Sequence, residues 1–207
     1  MDVEWTMSAN PGGSVKVTFG LAAHSGWAAL VVLGKRSGEL LVVDRRRIEL
    51  VEDAWGKAPY HAAEDMKPEA ARRLVERGVD GARRTAVREI QAAVERERER
   101  GNTVAACAVL VASPLPDWST DEILAVHFRM HKAEGFLFRD ALARAAEACA
   151  LRLVAIPHKD LTAHAKRAFA APTSVQNQLA RLGRAIGPPW GKDQKEAALA
   201  AAIALGE

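Results

Sequence analysis

Apolar residues in this chain fall into short dense runs and longer stretches at helical spacing, and their order sets out a fold. Residues 15–22 alternate well enough to predict a strand. His24-Ser25-Gly26 marks a turn, and residues 27–33 form a second apolar run. Gly34-Lys35-Arg36-Ser37-Gly38 reads as a hairpin loop. Residues 39–43 return as a third strand, with room to extend through Arg45-Arg46-Arg47 to Val51. Three strands joined by short turns predict an antiparallel meander. Residues 53–66 have the mixed polar, Gly and Pro content of a loop. From 67 to 100 the spacing turns helical, with Pro68 suited to the first turn. Its buried stripe runs through Leu74, Val75, Val79, Ala82, Ala86, Ile90, Ala93 and Val94, and Gly78 and Gly81 predict a weak middle. Gly101-Asn102 ends it, and residues 103–112 are continuously apolar, as a central strand covered on both faces requires.

The stretch from Ser119 onward carries the densest polar cluster. Ser119-Thr120-Asp121-Glu122 has the form of a capping box. Ile123, Val126, Met130, Ala133, Leu137, Ala141, Ala145 and Ala148 follow at helical spacing, which predicts one long helix. It feeds a short apolar strand at 151–156 that stops at Pro157. Residues 158–172 read as a helical or irregular connector, and 173–186 as a helix broken by Pro188-Pro189-Trp190-Gly191. Residues 193–205 form a last alanine-rich helix, with Asp193 and Glu196 placed as an acidic capping pair. Residues 1–14 read as a flexible lead-in, and 15–207 as a single domain.

Composition narrows the class. The chain has 207 residues, 49% hydrophobic and 27% charged, which is that of a soluble globular protein with one sizeable core. Aromatics supply only 5%, so close helix–sheet packing by alanine is expected. Cys107 and Cys149 lie inside apolar patterns and read as reduced, buried thiols. The polar start and the interrupted apolar runs predict no membrane span and a cytoplasmic location. A net charge of +3 permits a polyanionic partner. Along residues 67–100, arginines mix with glutamates and predict an ion-paired face. Lys159, Lys166, Arg167, Arg181, Arg184, Lys192 and Lys195 are less balanced, and with Trp190 they form the expected nucleic-acid-facing surface.

Candidate chemistry gathers around histidine. His127, His131 and Glu134 share one helical face, the spacing at which two imidazoles and a carboxylate converge on one cation; a polar helix flank has the same pattern. His61-Ala62-Ala63-Glu64 echoes His131-Lys132-Ala133-Glu134, so His61 and Glu64 join the candidate ligands, as does His24 between the first two strands. Asp193 reads as a helix cap or a metal ligand. No phosphate-binding Gly loop, dinucleotide fingerprint, CxxC pair or G-x-S-x-G elbow is present.

Three antiparallel strands, a helix, a strand, a helix, a strand and terminal helices resemble the ribonuclease H-like superfamily. Within it, residues 132–149, 151–156, 158–184 and 193–205 look most like the second half of RuvC-type Holliday-junction resolvases, and Gly26-Trp27-Ala28 is similar to the small–aromatic–small start of that family's second strand. The resemblance implies a mixed five-stranded sheet in the order 3-2-1-4-5 and nuclease chemistry on Mg²⁺ or Mn²⁺. The chain departs from it in two places. The first strand holds no Asp, and Val111-Ala112-Ser113 stands where a second acid is expected; only Asp193 falls on a family acidic position. Two readings follow. In the first, Glu134, Asp193, His131 and Lys195 act on a phosphodiester, with a cation held among Glu134, Asp193, His131, His24, His61 and Glu64. In the second, the domain is a catalytically inactive module that binds nucleic acid or a protein. The specific expectation is that Glu134 and His131 meet Asp193 in one pocket, beside a Gly135 that permits close backbone approach.

Overall fold

The computed structural model describes residues 14–206, so the expected lead-in lies outside the described residues apart from Ser14. Five strands form one mixed sheet in the order β3-β2-β1-β4-β5. The strands are β1 (Lys16–His24), β2 (Trp27–Arg36), β3 (Glu39–Glu49), β4 (Thr103–Val111) and β5 (Leu153–Pro157). The first three pair antiparallel, and β4 lies parallel to both β1 and β5. This is the mixed five-stranded sheet in the order 3-2-1-4-5 that the sequence leads one to expect. The hairpin is tighter than expected, because Gly34, Lys35 and Arg36 still pair with β3 and leave Ser37 and Gly38 to turn the chain.

The central strand is covered on both sides, and its alternation decides what lies where. Val17, Phe19, Leu21 and Ala23 enter one core, which also holds residues of α2 (Pro68–Glu99) and α4 (His127–Ala148). The opposite core collects α5 (Leu161–Ala168), α6 (Pro172–Ile186) and α7 (Lys192–Gly206). On that face β1 presents Thr18, Gly20 and Ala22. A Cβ on Gly20 would lie 1.8 Å from the Ala197 carbonyl oxygen, so only glycine admits α7 at this depth. Thr18 Oγ1 donates to the Ala201 carbonyl at 2.8 Å, which satisfies a fully buried hydroxyl. Residues 197–204, six of them alanine, are all buried, as the low aromatic content predicts.

Two expectations are corrected. Residues 53–66 are not merely loop: a 3₁₀ turn (Ala54–Lys57) and α1 (Pro59–Ala62) bury Tyr60 and Ala63 against α2 and α4. Pro59 sits at the start of α1 and packs onto Gly78, where a Cβ would lie 2.6 Å from the proline Cβ. Gly78 therefore serves packing, and α2 runs unbroken past it. The expected long helix from Ser119 is also two helices. The Ser119–Glu122 capping box forms, but it caps only α3 (Thr120–Leu124). β-branched Val126 is extended (φ −139°, ψ 109°) and α4 restarts at His127.

Cys107 and Cys149 are free, and burial pushes the Cys107 thiol up to about 12. Among the described residues no helix is long and apolar enough to cross a membrane.

Gly20→Ala should therefore cost about 3 kcal/mol, the upper range for overpacking a core. Thr18→Val, which removes only the buried hydrogen bond, should cost about 1–2 kcal/mol because the Ala201 carbonyl loses its side-chain donor. Urea denaturation of both variants checks the order.

Candidate functional site

At the carboxyl end of β1 the side chains stop being apolar. His24 ends the strand, and its Nε2 is 2.8 Å from Asp193 Oδ1 on the first turn of α7. The imidazole lies flat on Trp27 (centroids 4.6 Å apart, planes at 5°), and the Arg47 guanidinium covers the same indole at 4.1 Å. A second pair sits beside it. β5 ends at Pro157, and His158 follows in a 3₁₀ turn with its Nε2 2.9 Å from Glu196 Oε2. Asp193 and Glu196 are three residues apart, so one face of α7 carries both carboxylates. Each carboxylate orients its ring and favours the Nε2–H tautomer, which leaves Nδ1 as the proton acceptor.

Both pairs open into one cavity of about 230 Å³, also lined by Glu134, Gly135, Arg139 and Lys192. Arg139 Nη1 donates to the Gly135 carbonyl at 2.6 Å, and its Nε is buried with no hydrogen-bond partner among the described residues. Burial pulls this guanidinium below its ordinary value, and Glu196 opposes the shift. Lys192 Nζ reaches Glu196 at 3.8 Å. The cavity thus holds two oriented imidazoles and two cations.

The start of α7 is fixed from a distance. Arg45 of β3 donates through Nη1 to the carbonyls of Gly187 and Pro189, both at 2.6 Å. Its Nη2 donates to Pro188 at 2.8 Å and to Ile186 at 3.3 Å. One guanidinium therefore gathers the carbonyls that close α6 and lead into α7. Trp190 packs its ring on Gly183, where any Cβ would collide with the indole. The Arg45-Arg46-Arg47 run is spent on structure, since Arg46 pairs with Asp44 and Arg47 with Glu49.

The residues expected to form one site divide between two places. Asp193 and Glu134 line the cavity with His24, but His131 does not join them. Glu134 faces two ways: it lines the cavity and accepts from both the backbone N–H (3.1 Å) and the Nδ1 (2.7 Å) of His61. His61 closes a trio with His127 and His131, whose ligand nitrogens all lie within 4.8 Å of one another, as a metal site would group them. Glu64 Oε1 is 3.5 Å from His127 Nδ1. Helical spacing therefore joined His127 and His131 correctly, and the two His-x-Ala-Glu segments do meet. They meet on the α1 side of Glu134.

Other expectations shift. Gly135 lines the cavity, but among the described residues a Cβ there would meet no neighbouring element within 4 Å, so close backbone approach is not its reason. Asp193 and Glu196 are not a capping pair, because α7 begins at Lys192 and Gln194 Oε1 accepts the Gly191 N–H. Lys195 is exposed and lies outside the cavity lining, where Lys192 stands instead. Trp190 is half-buried in the α6–α7 core. Lys159, Lys166, Arg167, Arg181 and Arg184 are exposed. His158, Glu196 and Arg139 were missed as cavity residues. The available signals were a histidine just after a strand end and a glutamate one turn beyond Asp193.

Two-ion metal chemistry of the kind the sequence resemblance implies needs free carboxylates. Here Asp193, Glu196 and Glu134 each hold an imidazole, and β1 and β4 carry no acid. This donor set does not fit a pair of Mg²⁺ or Mn²⁺ ions.

The chain is similar to solved structures of one protein. Thermus thermophilus RuvC in complex with a Holliday junction substrate is 12% identical, with a TM-score of 0.48 over 91% of each chain. A second Thermus thermophilus RuvC structure is 13% identical, with a TM-score of 0.47 over 90% of this chain and 92% of that one. No family model and no curated protein matches the sequence.

Replacing Arg45 by Met keeps the length of the side chain and removes its donors. The expected loss is about 2 kcal/mol in chemical denaturation, because several carbonyls lose a charged partner together.

Proposed function

We propose that this protein binds nucleic acid and cleaves its phosphodiester backbone in the β1–α7 cavity, by acid–base catalysis rather than on paired metal ions. The observation that carries the reading is that two His–carboxylate pairs and two cations line one cavity. Phosphodiester cleavage needs one group to take a proton from the attacking oxygen and another to give one to the leaving oxygen. His24, held by Asp193, and His158, held by Glu196, supply two such groups. Arg139 and Lys192 offset the charge that develops on the phosphoryl oxygens. In RNA the attacking oxygen is the adjacent 2′-hydroxyl; in DNA it is water. Asp193 keeps its expected place in the chemistry. Glu134 orients His61, and Lys192 takes the role expected of Lys195.

The polyanion is supported by the exposed Lys159, Lys166, Arg167, Arg181 and Arg184 on the connector, α5 and α6, none of which forms an ion pair among the described residues. Binding should weaken steeply with salt as phosphate contacts release counterions.

The deciding experiment incubates labelled RNA and DNA with the full chain in EDTA. Cleavage should fall at least about a hundredfold in His24→Ala and in His158→Ala. Reversing Lys166 and Arg167 to Glu should weaken binding and flatten its salt dependence. Binding without cleavage in any buffer would leave the inactive module. Cleavage that requires Mg²⁺ or Mn²⁺ would restore the metal-assisted reading.

A further inference from the structure

We infer that His61, His127 and His131 form a binding site for one zinc-class divalent cation, distinct from the His24–Asp193 and His158–Glu196 pairs of the cavity and joined to it through Glu134. The three rings sit on two elements that are far apart in sequence. His61 lies on α1, and His127 and His131 stand one turn apart at the start of α4. Ring centroids are 4.6–5.1 Å apart, and the ligand nitrogens lie within 4.8 Å of one another.

Tautomer chemistry points the lone pairs inward. Glu134 Oε2 is 2.7 Å from His61 Nδ1, so that nitrogen carries the proton and Nε2 carries the lone pair. His61 Nε2 is buried and has no hydrogen-bond partner among the described residues. Glu64, 3.5 Å from His127 Nδ1, favours the same arrangement on the second ring. His127 Nε2 and His131 Nε2 are 3.1 Å apart, a contact that either a shared proton in an N–H···N hydrogen bond or a cation bridges. Two imidazoles on a tetrahedral zinc at Zn–N distances of about 2.0–2.1 Å have nitrogens about 3.3 Å apart. The pair is therefore already at coordination spacing, and a ligand nitrogen of His61 lies within 4.8 Å of both.

The outer contacts also match a metal site. A histidine ligand commonly donates its remaining N–H to a carboxylate, which fixes the ring and raises its basicity. Glu134 does this for His61, and Glu64 stands in the same position toward His127. Neutral nitrogen donors favour zinc-class ions over Mg²⁺, which prefers oxygen. His127 and His131 are exposed, so the fourth position opens to water rather than to a protein ligand.

The test uses untagged full chain, stripped with chelator and titrated with Zn²⁺ and with Co²⁺ as a spectroscopic probe. One equivalent should bind, Zn²⁺ should raise the melting temperature, and Co²⁺ should give the intense visible bands of a four-coordinate site. His127→Ala and His131→Ala, both at exposed positions, should each weaken Zn²⁺ binding at least tenfold and abolish the melting shift. Glu134→Gln should weaken it about tenfold to a hundredfold through His61. Asp193→Ala should leave it unchanged, which separates this site from the cavity whatever the outcome of the cleavage assay. Affinity that is unaltered in both histidine variants, or a Co²⁺ spectrum that stays that of the aquo ion, overturns the inference.

Discussion

The close approach of α7 to β1 at Gly20 is the constraint on which the rest depends. Four residues of helix advance about 6 Å and two residues of strand about 6.6 Å, so the two run nearly in step. Ala201 meets Thr18 and Ala197 meets Gly20 in that register. One further step along both elements leads to Ala22 and Asp193, which line the cavity together. His24, on the same face two residues later, turns its ring to Asp193. The alanine richness of 197–204 follows from the same contact, since larger side chains would lift the helix and withdraw both carboxylates from the cavity.

Imidazole donors at the strand ends accommodate three carboxylates there. Like charges gathered at one place repel, and hydrogen-bond donors offset that repulsion. Each carboxylate faces an imidazole: Asp193 faces His24, Glu196 faces His158 and Glu134 faces His61. Each imidazole thus supplies one N–H to the carboxylate it faces. Glu134 belongs to both neighbourhoods, because it lines the cavity and its oxygens hold α1 through His61. The placement of α1 and the wall of the cavity are consequently tied through one side chain.

The sheet was legible because its signals are local. The meander, the doubly covered β4 and the crossover helices all follow from periodicity, and the pairing of β1 with β4 confirms that order. The site was legible only in pieces. His127 and His131 are four residues apart on one helix, so spacing alone joined them. His24 with Asp193 spans 169 residues, and His158 with Glu196 spans 38. No periodicity reports such contacts. Asp193 and Glu196 also fit a helix cap equally well, and only the Gln194–Gly191 bond shows that capping is done by another residue.

The break at Val126 shows why the histidine trio could not be derived from the helix alone. A single helix from Ser119 would carry Ile123 and the histidines on fixed relative faces. The extended residue frees them: α3 buries Ile123 with Leu124 in the cluster around Tyr60 and Val75, while α4 starts afresh with His127 at its first position. Met130 and Ala133 then face that same cluster, and they flank the exposed His131 in sequence. His61 arrives from the opposite direction because Pro59 docks on Gly78 and Tyr60 fills the core beside it. The trio is thus a product of two helix starts, each set by packing rather than by the histidines themselves.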